Sequence, residues 1–237
     1  MSKKILSILG IILLLAAIVF GTYTFVKRWQ NDELLKNPTP AIRVDTGMSK
    51  TLYSTTDPSS PWVVVNKKLP LAPVTYEPSD LINVGNNQQL KSPAAKSLAL
   101  LVKDAEALNL NIIIVNGYRS YSYQGTVYAT EVANSSAEIA DVSIAKPGYS
   151  EHQTGWAIDV NSIDCNTDDY DCFATTAEGS WVGLHAHEYG FIVRYTADNR
   201  DKTSYRAEPW HLRYVGTELS MELNNKNIGS MEEFFEL

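Results

Sequence analysis

From Ile5 to Val26 the chain runs for 22 residues without a charged side chain, most of them Ile, Leu, Val, Ala or Phe. As a helix rising about 1.5 Å per residue, this run reaches about 33 Å, enough to cross the hydrocarbon core of a bilayer. A segment of this kind belongs in a membrane, so any water-facing fold must be built from the residues C-terminal to it. A cleavable leader has a shorter apolar region ending in a small-x-small site. Val19-x-Gly21 is a poor example, so the expected reading of residues 1–26 is an uncleaved membrane anchor, with a cleaved signal as the alternative. No Cys sits near the end of the run, which excludes a lipoprotein. Basic residues flank both ends, so the positive-inside rule decides little. A single-pass protein of the cell membrane, its C-terminal part extracellular, is expected from this leader together with the chemistry below.

Residues 27–60 are polar and broken by Pro38, Pro40 and Pro58, which reads as an extracellular spacer. From Trp62 onward the hydrophobic content rises and stays high, so residues 61–237 are expected to form one domain. Lys and Arg number 20 against 27 Asp and Glu, a net charge of −7 without a basic stripe, which excludes a nucleic-acid partner. Cys165 and Cys172 lie close together; in an oxidising compartment they would staple a small loop. A metal role is disfavoured because no second pair of soft ligands accompanies them.

Ser92-Pro93 predicts a helix start with Ser92 as N-cap, followed by Leu98, Leu101, Val102, Ala105 and Leu108 at helical spacing. Ile112–Val115 is a β-branched run ending at Asn116-Gly117 and predicts a buried strand. A second helix is expected from Ser120. Trp156–Val160 alternates like a strand, Trp181–Tyr189 is expected to be helical with Gly190 ending it, and Phe191–Tyr195 and Trp210–Val215 predict two more strands. Ser230 with Glu233 forms a capping box for a last short helix. Helices and strands mix without regular βαβ alternation, which points to an α+β domain with a small antiparallel sheet.

Of the four histidines, His152 lies seven residues before Asp159, which is flanked by Ile158 and Val160. On a strand, Asp159 points away from these apolar neighbours. Seven extended residues span about 23–25 Å, so the chain must fold back if the two are to share an ion, and Gly155 permits such a bend. Glu208 precedes His211 by three residues, where a carboxylate can stand beside a metal without ligating it. Catalytic zinc sites use three protein ligands and leave a fourth place for water. His152, Asp159 and His211 would supply the three, with Glu208 placed to take the water's proton; by spacing alone each His is more often a surface or core residue, Asp159 a turn or cap residue and Glu208 a surface acid. His185 and His187, two residues apart before Gly190, read as structural.

Ser150-x-His152-x-x-Gly155-x-Ala157-x-Asp159 and Glu208-x-x-His211 resemble the two zinc signatures of the D-alanyl-D-alanine metallopeptidases. Gly117-Tyr118-Arg119-Ser120 with Gln124, Pro147 to Gly155, Tyr189 to Tyr195 and Glu208 to Gly216 are similar to the VanY-type carboxypeptidase branch, in the family's order. The resemblance covers about residues 65–215. It implies a compact domain with the zinc site on a central antiparallel sheet, Zn2+ bound by His152, Asp159 and His211, and Glu208 as general base and then acid. It also implies that Arg119 faces the substrate's carbonyl or carboxylate, and that Ser120, Gln124 and Ser150 are candidate substrate contacts. Trp156 stands where the family often has a smaller residue and is expected to reshape the pocket wall. The implied reaction is removal of the terminal D-alanine from peptidoglycan stem peptides by a zinc-bound water. D,D-cleavage is expected, with an L,D-carboxypeptidase or a non-catalytic wall-binding module as alternatives. Ser143-x-x-Lys146 matches the serine-peptidase pattern Ser-x-x-Lys, but no Ser-Asp-Asn element lies between it and Lys202-Thr203-Ser204.

Overall fold

The computed structural model describes residues 48–165 and 170–237. The expected anchor, and the expected spacer as far as residue 47, lie outside the described residues. Among the described residues no helix is long and apolar enough to cross a membrane. Residues 50–60, the distal part of the expected spacer, lie against the domain. Lys50 pairs with Glu236 at 2.6 Å, the Tyr53 ring packs edge-on to Trp62 at 5.0 Å, and Val64 N–H donates to the Thr55 carbonyl.

The first two strands form a hairpin, β1 (Leu81–Gly85) and β2 (Gln88–Lys91), turned at Asn86 and Asn87. Both asparagines have positive φ, which Asn tolerates better than most residues and which suits the twist of a tight hairpin. Helix α1 (Ser92–Ala107) follows, burying Ala94, Ala95, Leu98, Leu101 and Ala105 against the core. Its N-cap is Lys91 rather than Ser92, because Lys91 is still extended and its N–H donates to the Gly155 carbonyl. Leu108, expected on the buried stripe, lies past the helix end and is exposed.

Strand β3 (Ile112–Asn116) leads to α2 (Tyr121–Asn134), whose first turn Ser120 caps by accepting from Tyr123 N–H. After α3 (Ala137–Ser143) come a 3-10 turn (Glu151–Thr154) and β4 (Ala157–Ser162), whose six residues are all buried. A second 3-10 turn (Asp171–Thr175) precedes α4 (Ala177–His185), which tightens into a third (Ala186–Tyr189) and stops at left-handed Gly190. Strand β5 (Phe191–Tyr195), short helix α5 (Arg200–Thr203), strand β6 (Glu208–Tyr214), α6 (Thr217–Lys226) and α7 (Met231–Phe235) complete the chain. Ser230 caps α7 by accepting from Glu233 N–H, as the capping box predicts.

The four-stranded sheet has the order β3-β4-β6-β5, and each neighbouring pair is antiparallel. An α+β domain with a small antiparallel sheet is therefore what the chain forms. Alternation along β4 and β6 sends Ile158, Val160 and Leu212 into the main core with Phe191, Leu98 and Leu101. Asp159, His211 and Arg213 take the opposite face. A second apolar cluster, built on Trp62, Val215, Leu219, Leu223, Met231 and Phe234, joins α6 and α7 to the start of the domain. The Trp62 indole N–H there donates to the Val215 carbonyl at 2.9 Å.

Candidate active site

Two local devices bring His152 to Asp159. The turn Glu151–Thr154 ends at Gly155 with φ +74°, which reverses the chain before β4. His152 Nε2 thus lies 3.3 Å from Asp159 Oδ2. The second device is a close approach at Gly117, where a Cβ would meet the Gln89 carbonyl oxygen at 2.4 Å. Held there, Gly117 presents its own carbonyl to His152 Nδ1 at 2.8 Å. That bond makes Nδ1 the donor and leaves the Nε2 lone pair toward Asp159.

The third member comes from strand register. Asp159 and His211 are directly opposed on β4 and β6, and His211 Nδ1 is 2.9 Å from Asp159 Oδ1. One ligand atom from each of His152, Asp159 and His211 lies within 4.8 Å of the others, and all three residues are buried. Metal–ligand bonds of about 2.0–2.2 Å put tetrahedral donor atoms about 3.4 Å apart, so the spacing fits. Two imidazoles and a carboxylate are also a donor set that suits zinc. Asn116 braces the group by donating to Asp159 Oδ2 (3.2 Å) and to the Tyr170 hydroxyl (3.1 Å).

Electrostatics divide the roles of the titratable groups. Burial, with the Arg119 charge, lowers His152 to about 4, so its imidazole is neutral at neutral pH. Burial opposes ionisation of Asp159, yet the two histidines hold it well below the ordinary carboxylate range. Burial also opposes a charge on His211, but its hydrogen bonds to Asp159 and Glu151 raise it to about 9. Burial pushes Glu208 the other way from Asp159, up to about 7, only partly offset by His211. A carboxylate poised near neutrality is what proton transfer in either direction requires.

These groups line one cavity of about 320 Å³, with Arg119, Ser150, Tyr195, Tyr205 and Trp210. The Arg119 backbone N–H donates to the His152 carbonyl, and its side-chain Nε has no partner among the described residues. Ser120 and Gln124 are not on the cavity wall: Ser120 caps α2, and sealed Gln124 donates to the Ala145 carbonyl at 2.8 Å. Trp156 does not shape the wall either. It packs in the core, stacked on Tyr214 at 5.6 Å. His185 bonds Glu188 and His187 bonds Asn224, both away from the cavity. Ser143 donates to the Ile139 carbonyl and Lys146 pairs with Asp141, so the Ser-x-x-Lys match forms no nucleophile–base pair.

Three lining residues take no role from the sequence: Glu151 and Tyr195 sit inside family-like blocks without standing at a signature position, and Tyr205 lies outside every block. Cys165 and Cys172 form the anticipated disulfide; between them in sequence, Tyr170 lines the cavity and packs on Trp210 at 5.5 Å, and Asp171 pairs with the lining residue Arg206 at 3.0 Å.

Residues 87–217 match the family model VanY, D-alanyl-D-alanine carboxypeptidase. YodJ of Bacillus subtilis (strain 168), named a carboxypeptidase, is 35% identical over 189 residues, covering 76% of this chain and 68% of its own. Among solved structures, the LdcB LD-carboxypeptidase superposes with a TM-score of 0.67 at 36% identity, covering 76% of this chain and 87% of that one. A point mutant of the vancomycin-resistance D,D-pentapeptidase VanY, in complex with Zn(II), superposes with a TM-score of 0.63 at 26% identity, covering 74% and 98%. With its motifs in order and folded onto one sheet, the chain belongs to the VanY family of D-alanyl-D-alanine carboxypeptidases.

Proposed function

We propose that the protein is a zinc-dependent carboxypeptidase that removes the C-terminal D-alanine of peptidoglycan stem peptides. The observation that carries this reading is the convergence of His152, Asp159 and His211 beside Glu208, whose carboxyl is held near neutrality. A zinc ion held by the three residues supplies Lewis acidity at the scissile carbonyl. Glu208 takes a proton from the attacking water, whose oxygen bonds to the carbonyl carbon of the penultimate residue. When the amide C–N bond breaks, Glu208 returns the proton to the departing amine. Arg119, with its Nε unpaired among the described residues, offers a guanidinium fork to the substrate's carbonyl oxygen or terminal carboxylate. Ser150 lines the same cavity as a substrate contact, while Ser120 and Gln124 act by holding α2 and the Ala145 loop.

Pentapeptide and tetrapeptide stems differ in the residue before the cut. The motifs favour D,D-cleavage. The 36% identity to an LD-carboxypeptidase, against 26% to the D,D-pentapeptidase, favours the tetrapeptide as the second reading. The test offers the purified, zinc-loaded protein both stem peptides and measures free D-alanine. Release from the pentapeptide supports D,D-cleavage, release from the tetrapeptide alone supports L,D-cleavage, and release from neither leaves a wall-binding module.

The run Ile5–Val26 is assigned to a membrane anchor that leaves the catalytic domain outside the cell. Retention in membranes through an alkaline wash, with the chain's own N-terminus intact, is expected. A soluble mature chain starting near Thr22 would instead identify a cleaved signal.

A further inference from the structure

Glu151 stands between two residues already given roles, Ser150 and His152, yet it does not take part in the chemistry assigned above. It is almost completely buried, and its two oxygens do different things. Oε1 accepts from Arg194 Nε and from Arg213 Nη1, both at 2.8 Å. Oε2 lies 3.2 Å from His211 Nε2. Both guanidiniums are themselves fixed. Arg213 also donates to the Pro61, Val63 and Tyr214 carbonyls. Arg194 makes a two-pronged pair with Glu232 of α7 at 2.7 and 2.9 Å, and Asn66 donates to the same carboxylate.

We propose that Glu151 is a positioning residue that fixes the tautomer and ring orientation of His211, so that Nδ1 and not Nε2 is the atom offered to the metal. This rests on the reading of His211 as a metal ligand. An ionised carboxylate can only accept hydrogen bonds. With Oε1 committed to two arginines, Oε2 is the acceptor left for His211, and Nε2 must therefore carry the proton. Without metal Nδ1 also carries a proton and donates to Asp159 Oδ1; when a metal displaces one proton from the ring, the proton held by Glu151 stays and Nδ1 is the nitrogen freed to bind. The Tyr195 ring, 5.0 Å away, and the His152 ring, 4.9 Å away, keep the imidazole from turning over. Two buried arginines and two buried glutamates are costly to desolvate, and apolar residues of similar volume often do as well for stability. Here the quartet also does something that apolar packing cannot. It holds an acceptor, and no donor, against His211 Nε2.

The substitution Glu151→Gln reverses that arrangement while nearly keeping the shape. Its amide oxygen must face the two arginines, so its NH2 group faces His211 Nε2 and selects the ring protonated on Nδ1, the wrong form for binding. In the purified full-length chain, zinc affinity measured by competition with a chromophoric chelator is expected to fall about 10- to 100-fold. Glu232→Gln, which also removes one of the buried charges but does not touch His211, is expected to lower the thermal midpoint and keep zinc affinity within about threefold. An affinity of Glu151→Gln within threefold of wild type would overturn the proposal. If Glu151→Gln does not fold, the wild type still decides. 15N-edited NMR of the zinc-loaded protein should find His211 carrying its proton on Nε2, and a proton on Nδ1 overturns the proposal. Neither readout depends on turnover, so a zinc-binding protein that releases no D-alanine fails the proposed function and leaves this assignment standing.

Discussion

Asp159 and His211 face each other across adjacent antiparallel strands, with Oδ1 of one 2.9 Å from Nδ1 of the other. Strand alternation gives each of them apolar neighbours on the opposite face, so core packing and site geometry depend on the same register. A one-residue slip of β6 would bury His211 in the core and turn Leu212 toward the cavity.

Separation of binding from proton transfer is the first expectation. Glu208→Gln should keep about one zinc per chain by metal analysis while kcat falls at least about 100-fold. His152→Ala, Asp159→Ala and His211→Ala should lose the metal as well. Substantial turnover by Glu208→Gln would remove the general-base role.

Gly117→Ala should weaken zinc binding although Gly117 is not a ligand. Its Cβ would collide with the Gln89 backbone at 2.4 Å, and relief of that clash displaces the carbonyl that orients His152. Chelator competition should report a lower affinity. An unchanged affinity, with His152 still bonded to residue 117, would show that β2 yields instead.

Acid lability should trace to the buried carboxylates. Burial opposes it, but Arg194 holds Glu232 below its ordinary value. A depressed carboxylate binds its proton in the unfolded chain first. Its stabilisation is therefore complete above the unfolded value of about 4.3 and is lost as pH falls from there toward the folded value. The unfolding free energy of Glu232→Gln, from urea titration, should lie lower at pH 7 by about 3 kcal/mol for breaking a buried pair. It should also fall less steeply than that of wild type below about pH 4.5.

The bridge between Cys165 and Cys172 closes a short loop beside Tyr170. Loop-entropy arguments give about 2–3 kcal/mol for a loop of this size. The double Ser variant should lose roughly that amount by urea unfolding, and its KM should rise more than its kcat falls, because Tyr170 lines the cavity but has no part in the proposed chemistry. A selective fall in kcat would argue against that division.

Legibility in the sequence followed the range of the forces involved. Phe191–Tyr195 and the Gly190 stop are set by local pattern and backbone conformation, and both stand where expected. The four motif residues His152, Asp159, Glu208 and His211 were visible because their spacing matches a family. The role of Glu151 was not, since its partners Arg194 and Arg213 lie 43 and 62 residues away, and the family-like blocks that contain all three say nothing of their pairing. Trp156 misled because a large residue inside a motif suggests the pocket, whereas its indole turns into the core over Tyr214. The hairpin Leu81–Lys91 escaped notice because Asn86-Asn87 is a weaker turn signal than Asn-Gly.

The order of the ligands along the chain has a consequence for incomplete copies. His211 follows Asp159 by 52 residues, and Glu208, the proposed proton carrier, travels with it on the last strand of the sheet to be synthesised. Any product of arrested translation, or any N-terminal fragment released by a protease before β6, holds two donors and no base. On the proposed mechanism such pieces would be inert, and hydrolytic power would arrive in one step, with the closing strand.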